Sequence, residues 1–537
     1  MHLPDRQVDS IEALKERIEV FLLGLRHPVL TETGREVIDL SCSHYSLSSE
    51  YNKLLWHIWN ERSNFVRQIT GVRKESPGRM ELRTQKFGKG PPGTLILAES
   101  RARKEQLERR SERSRYAQKL KQFLAQLFPQ WKIEELRWEP DLKHSFSGCF
   151  SRAALVRGQQ AWAVIGAGEQ EEHQAVEGIL TYGLVWRDWL RRRDNSRVWE
   201  GLKIFVPANR ASTTLQRLAW MDHEVARWEV FETGNEICRR DPADVGNLKT
   251  NLAPAGGPFT LAPAFQSWVE RIKDLSPEIE THFISENFCA LTLRGLPFAK
   301  ETPNGLVFGL GRAETPLDER TFGELQRLVA NLSQIRRPQI PSQSSDDSVL
   351  SIPEDSGKES SLESPKVSSK ASPQESEVRL HPYYRLYPER WLQSVLVQQI
   401  GVLGYDLVPD AIYEQVPAVS GTERGLLDLL TVNIHGRLVV LELKATEDIH
   451  MPLQAMDYWM RVHWHQKRGE LERQGYFPHR VLSPQPPLLL LVSPALQFHS
   501  TCETILRYLS PSVEVVRVGL NENWRDRLQV IFRMPRQ

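Results

Sequence analysis

The sequence predicts a multidomain α/β protein, and three observations carry that expectation. The chain has 537 residues, which at roughly 100–200 residues per domain is enough for about three separate cores. Hydrophobic residues make up 40 % and tryptophan occurs 15 times, which excludes chain-wide disorder. Helical and strand patterns alternate along the chain, most clearly over residues 379–537.

The sharpest boundary is the stretch Pro341 to Val378, with 13 Ser, 4 Pro and no aromatic residue. Such a composition cannot bury enough apolar surface to offset chain entropy, so residues 339–378 read as a disordered linker. Residues 1–100 read as an α+β module with a helix over Glu50–Glu61 and strands at Phe65–Val72, Met80–Lys86 and Thr94–Leu97. SPG and GKGPPG supply the turns between those strands. Residues 101–240 begin with a long charged helix and continue as α/β. Residues 241–338 read as a small α+β segment, with strands Phe288–Leu293 and Leu306–Leu310 and a helix near Leu317–Leu332.

Residues 379–537 read α-β-β-β-α-β-α. A helix starts after Pro388 and runs Glu389–Ile400, and a strand follows near Ile412–Val416. Leu426–Val432 and Leu438–Lys444 pair across Asn433-Ile-His-Gly436. A helix spans Pro452–His465. The run Leu488–Val492 is so apolar that it reads as a central strand buried on both faces. Helix Cys502–Leu509 and strand Val513–Val518 close the domain.

In the hairpin, Asp428 stands on one strand and Glu442-Leu-Lys444 on the next. Residues two apart on a strand share a face, so Glu442 and Lys444 point the same way. Their surroundings, LLDLL and LVVLELK, are otherwise almost wholly aliphatic. Two carboxylates and an ammonium there are costly unless compensated. A divalent cation compensates them, since Mg²⁺ takes one or two carboxylates and fills its shell with water and phosphate oxygens. Beside it, Lys444 could position or help deprotonate an attacking water and balance developing charge. The plainer reading of the same residues is an internal Glu–Lys and Asp pairing at a sheet end.

The ordered set resembles the PD-(D/E)XK nuclease superfamily, in particular its RecB-like members. It comprises Glu389 on the first helix, Asp428 in GLLDLL, Glu442-Leu-Lys444 in VVLELK, and Gln454-Ala-Met-Asp-Tyr458 on the next helix. The resemblance covers about residues 385–520 and implies a restriction-endonuclease-like α-β-β-β-α-β core. It implies that Asp428 and Glu442 hold Mg²⁺ or Mn²⁺, that Lys444 orients the water, and that Glu389 completes the acidic cluster. Gln454 and Tyr458, four apart on one helical face, would brace the site or contact nucleic acid. Glu414 and Glu423 are substitutes if Glu389 points away. His450, His463 and His465 read as surface or half-buried histidines rather than metal ligands, and Gly309-Leu-Gly311 lacks the rest of a dinucleotide fingerprint.

Shifting residues 379–537 back by about 276 gives a second match. Glu442 and Lys444 fall on Gly166 and Gly168, Asp428 on Arg152, Gln454 on Gly178, and Tyr458 on Tyr182 in a similarly Trp-rich helix. With a shorter loop, Leu202–Pro207 matches Leu489–Pro494. The N-terminal half therefore reads as a degenerate second copy without the ligands. Its leading helix is basic, with nine Lys/Arg against three Glu over residues 101–121, and could grip phosphates.

The resulting expectation is a Mg²⁺- or Mn²⁺-dependent nuclease hydrolysing phosphodiester bonds of DNA, in repair or defence. The alternative is a non-catalytic nucleic-acid-binding or scaffold protein that retains the fold. Lys+Arg 69 against Asp+Glu 68 excludes a bulk polycation, so contact with DNA must be local. Cys42, Cys149, Cys238, Cys289 and Cys502 show no metal or disulfide spacing, which favours a reducing compartment. No apolar leader or span occurs, so the expected setting is soluble, intracellular and cytoplasmic, with no membrane partner. No P-loop is present, so unwinding would need a helicase partner; a homodimer is the other association left open.

Overall fold

In the computed structural model the described residues are 11–25, 28–32, 38–40, 43–50, 53–60, 63–76, 78–85, 93–99, 103–234, 236–243, 248, 250–255, 263–285, 288–302, 305–310, 314–337, 381–420 and 423–536. Among the described residues the fold is mixed α/β with four sheets. It divides into two compact units, Met1–Ala211 with Trp228–Arg240, and Ser212–Arg227 with Asp241–Gln537. The expected linker, residues 339–378, lies outside the described residues. Among the described residues no helix is long and apolar enough to cross a membrane.

The first unit opens with helix Ile11–Leu23 on a seven-stranded antiparallel sheet. Leu14, Ile18 and Leu22, at helical spacing, enter its core with Leu54, Trp56 and Ile58. Those last three correct an expectation. The helix expected over Glu50–Glu61 is instead the strand Lys53–Asn60, paired on both sides with His44–Glu50 and Ser63–Ser76. The period of two in Leu54, Trp56 and Ile58 and the aromatic and β-branched content decide the outcome. Helix Ile11–Leu23 has no counterpart in the sequence reading.

The second sheet of this unit is six-stranded, and its strands Lys132–Arg137, Phe150–Arg157, Gln160–Ala167 and Val198–Pro207 follow helix Arg103–Leu127. The first three pair antiparallel, and the third pairs parallel with the fourth after the crossover helix Ile179–Arg193.

The second unit contains a five-stranded antiparallel sheet with helices Pro263–Lys273 and Phe322–Ile335, sharing the core of Val269, Leu291, Phe298, Leu325 and Leu332. It also contains the seven-stranded sheet of the C-terminal region. There helix Pro388–Gln398 leads, then Tyr413–Ser420, Glu423–Val432 and Leu438–Leu443 pair antiparallel. Helix Met451–Lys467 crosses over to Leu488–Pro494, parallel to Leu438–Leu443 and to Val515–Leu520. Every residue of Leu438–Leu443 and Leu488–Pro494 is buried, as a central parallel pair covered on both faces requires. Helix order and strand directions thus run alike in this sheet and in the six-stranded one, as far as the first parallel crossover.

Two features join residues on either side of the Ser-rich segment. Strand Thr250–Leu252 pairs antiparallel with Ala418–Ser420 and extends the C-terminal sheet by one edge. Arg336 is fully buried, and its guanidinium donates to the carbonyls of Tyr383 (2.8 Å), Arg294 and Leu386 while lying over Trp391. Satisfying three carbonyls at once offsets the cost of burying that cation. A cut at 341–378 therefore does not free the C-terminal domain from residues 250–336.

Candidate active site

The site is built at the carboxyl end of Leu438–Leu443. The last paired residues of the hairpin are Leu429 and Leu441, so Asp428 and Glu442 occupy the next two facing positions. Asp428 Oδ2 accepts a hydrogen bond from the Leu443 N–H at 2.8 Å, and Lys444 N–H donates to Val492 O at 3.1 Å. Glu442 is 2 % exposed. Its Oε1 is 3.5 Å from Lys444 Nζ, while its Oε2 is buried with no hydrogen-bond partner. Lys444 Nζ also lies 3.3 Å from Asp448 Oδ2.

Glu389 enters from the first turn of helix Pro388–Gln398, whose Trp391, Leu392 and Leu396 are sealed in the core. Its buried carboxylate feels the charges of Lys444 and Asp448, with the Ala445 N–H and the Thr446 hydroxyl beside it. It does not point away, so the substitutes are not needed. Glu414 accepts instead from Gln393 Nε2 at 2.7 Å beside His282 and Glu280. The Glu423 side chain lies outside the described residues. From helix Met451–Lys467, Tyr458 comes within the field of Glu442 and Asp428. Gln454, one turn earlier, has a buried Oε1 without a hydrogen-bond partner.

The electrostatics follow from burial. Desolvation raises the carboxyls of Glu389, Asp428 and Glu442, Asp428 to about 6. For Glu442 the Asp428 charge adds to the rise, and Lys444 opposes it. Burial pulls Lys444 down, but Glu442, Asp448, Glu389 and Asp428 outweigh it and hold the ammonium well above its ordinary value. Burial, then Glu442 and Asp428, raise the Tyr458 phenol.

Four of the expected residues, Glu389, Asp428, Glu442 and Lys444, thus share one site, with Tyr458 at its border. The sequence reading missed Asp448 and Thr446. The available signal for Asp448 was its position four residues past Lys444, on the turn that must lead back over the sheet end. His463 and His465 are buried rather than at the surface. His463 stacks on Trp459, with Trp220 edge-on. His465 Nδ1 bonds Glu470 (2.5 Å) and Nε2 bonds Thr250 Oγ1 (3.0 Å).

Among the described residues no group of three or more His, Cys, Asp or Glu side chains is arranged to hold a metal ion on its own. The donor set at Asp428 and Glu442 is two carboxylates, one with an orphaned oxygen. That fits an ion such as Mg²⁺, which takes one or two protein carboxylates and keeps water for the rest.

The six-stranded sheet offers the counterpart position. Gly166 pairs with Ser151, and Ile165 with Arg152, so by register Asp428 corresponds to Ser151, one residue from the Arg152 that the sequence offset selects. A Cβ on Gly166 would lie 2.7 Å from Tyr116 Oη and 3.2 Å from Leu120 Cδ2. The space that Glu442 uses in one sheet is thus taken by helix Arg103–Leu127 in the other. Arg152 is buried, its guanidinium over Phe146 and Trp186 and donating to Glu139 O.

No protein-family profile, curated protein or solved structure matches the chain.

Proposed function

We propose that residues 379–537 form a PD-(D/E)XK nuclease domain of the RecB-like kind, hydrolysing phosphodiester bonds of DNA with Mg²⁺ or Mn²⁺, and that residues 101–240 are a degenerate copy of it. The observation that carries this reading is the convergence of Asp428, Glu442, Lys444 and Glu389 at one sheet end, with Glu442 Oε2 left without a partner. The parallel crossover in both sheets and the blocked space at Gly166 support the duplication.

Asp428 and Glu442 would hold the ion, which when bound lowers the pKa of a coordinated water and neutralises phosphate charge. Lys444 acts as a fixed cation: with its ammonium stabilised by four carboxylates it keeps its proton through the neutral range. That assigns it to orienting water and balancing charge on the phosphoryl oxygens, rather than to removing a proton. Glu389, buried beside Lys444 and Asp448, completes the acidic cluster. Tyr458 faces the cluster as a neutral phenol and a hydrogen-bond donor.

The test is a cleavage panel of single-stranded, duplex, flapped and mismatched DNA with Mg²⁺ and Mn²⁺. Cut products that vanish in Asp428→Ala and Glu442→Ala are expected. Cleavage surviving in both variants overturns the reading. A second reading, a non-catalytic nucleic-acid-binding or scaffold protein, draws on the ion pairs of Lys444 with Glu442 and Asp448, which neutralise part of the cluster without an ion. Calorimetry separates the two: only the nuclease has a Mg²⁺ site that disappears in Glu442→Gln.

A further inference from the structure

On helix Met451–Lys467, Gln454, Tyr458 and Arg461 follow one another at spacings of four and three, so they share the face that borders the site. Arg461 Cζ lies 6.0 Å from the Tyr458 ring centroid, and the Tyr458 phenol feels Arg461 together with Glu442, Asp428 and Lys444. That separation is the outer limit of a cation–π contact, so the stack alone does little to hold Arg461. The helix itself offers a better partner. Asp457 stands four residues before Arg461, the spacing at which an aspartate and an arginine pair on a helix surface.

That pair is not made. Arg217 takes both Asp457 oxygens, Nε to Oδ1 at 2.9 Å and Nη2 to Oδ2 at 2.7 Å. Arg217 is buried and comes from helix Ser212–Leu218, which belongs to the same compact unit as the C-terminal sheet. Trp220 fixes that segment edge-on to Trp459, with ring centroids 4.7 Å apart. The Ser510 N–H donates to Trp220 O (2.7 Å) and the Asp222 N–H to Tyr508 O (2.8 Å). A bidentate, largely buried guanidinium–carboxylate pair outcompetes a solvated helical one. Arg461 is left half-buried, with no carboxylate partner among the described residues. Lys444, by contrast, is already held by Glu442 and Asp448. A polynucleotide with one phosphodiester at Asp428 and Glu442 carries further phosphates on either side, and these call for a cation that no acid has claimed.

We propose that Arg461 binds a backbone phosphate next to the scissile one, and that Arg217 keeps it available by holding Asp457. The proposal rests on the nuclease reading and adds a substrate contact to it. A planar guanidinium suits phosphate oxygens, and a contact of this kind positions the strand without reading its sequence. It also gives Ser212–Leu218, a helix inside the proposed degenerate copy, a task that needs no metal ligand.

The test measures binding by the full chain in EDTA, so that nothing is cut. It follows the anisotropy of a labelled DNA duplex and of a labelled single strand between about 50 and 200 mM salt. Arg461→Gln is expected to weaken binding about tenfold at the lower salt. The slope of log K against log salt should shrink by about 0.9 on duplex or about 0.7 on single strand, as for one lost phosphate contact. Arg461→Lys keeps the charge and should keep the parent's slope. Arg217→Gln frees Asp457 to turn to Arg461, and a loss of at least about twofold is expected. Adding Asp457→Asn to Arg217→Gln removes both charges but keeps a polar contact between the helices, and should return the affinity to the parent's. An affinity and slope unmoved by Arg461→Gln overturn the proposal, as does a parent chain that binds neither DNA. A loss in Arg217→Gln that persists in the double variant overturns it too, because Arg217 then acts by packing alone. If every binding change appears but the parent cuts nothing with Mg²⁺ or Mn²⁺, the nuclease reading falls and the phosphate contact stands. Cleavage by a parent whose binding ignores Arg461 gives the reverse.

Discussion

The carboxylate of Asp428 is docked on the peptide N–H of Leu443, Oδ2 to N 2.8 Å, so the motif acid of one strand is tied to the strand that bears Glu442 and leads into Lys444. This bond works against a burial that lifts the Asp428 carboxyl to about 6. A folded pKa above the ordinary 3.8 means that Asp428 favours the fold most below about pH 4, and that this contribution is lost as pH rises through 6. Asp428→Asn, which keeps an oxygen for Leu443, is expected to gain on the parent in metal-free buffer between pH 4 and pH 8. Two pKa units set the gain at up to about 3 kcal/mol. Urea midpoints at the two pH values check it, and a constant difference contradicts it.

Mg²⁺ should reverse that penalty. At pH 8, where Asp428 is ionised, saturating Mg²⁺ is expected to stabilise the chain by about 2.7 kcal/mol at a hundredfold excess over Kd. The gain should be smaller at pH 5 and absent in Glu442→Gln. Thermal shifts with and without Mg²⁺ measure it, and an equal shift in Glu442→Gln places the ion elsewhere.

Lys444→Met removes the cation that four acids surround. The carboxyls it had held down rise further, and a group whose folded pKa rises withdraws stability as pH increases. The expected loss is about 3–5 kcal/mol near neutrality and clearly less at pH 5. Denaturant titration at both values decides it; a loss independent of pH would make Lys444 a packing residue only.

Burial lowers the pKa of His463, held against Trp459 and Trp220. Its contribution is complete above the ordinary 6.5 and is lost as pH falls. His463→Phe keeps the stack and should flatten the drop in melting temperature between pH 7 and pH 5. An unchanged slope would assign that acid sensitivity to other groups.

Gly166→Ala should destabilise the six-stranded sheet, because its Cβ meets the Tyr116 hydroxyl, itself buried and without a hydrogen-bond partner. Overpacking of this kind costs typically about 1–3 kcal/mol, and less in a Tyr116→Phe background. A double-mutant cycle with no coupling would show that the two groups do not compete for space.

The charged trio was legible because Asp428, Glu442 and Lys444 interrupt strands that are otherwise aliphatic, and local pattern fixes which residues share a face. Helix Met451–Lys467 and strand Leu488–Pro494 were legible for the same reason, a strong period or an unbroken apolar run. Lys53–Asn60 was misread because a Trp- and Leu-rich run suits either element until its neighbours are known. Asp448 reaches the site through a turn, and turns carry no period. Strand Thr250–Leu252 pairs with residues more than 160 positions later, and His465 finds Thr250 by the same route. Such partners depend on chain closure that no window of sequence contains.

That distant strand has a practical consequence. A fragment beginning at residue 379 would carry the whole expected catalytic set yet lose the strand that covers Tyr413–Ser420, as well as the buried guanidinium that gathers the carbonyls of Tyr383 and Leu386. Its sheet would present a bare hydrogen-bonding rim of the sort that recruits other chains. Trimming the protein to residues 379–537 would therefore trade the support of Thr250–Leu252 and Arg336 for aggregation, and an assay on that fragment would not test the activity proposed for the longer chain.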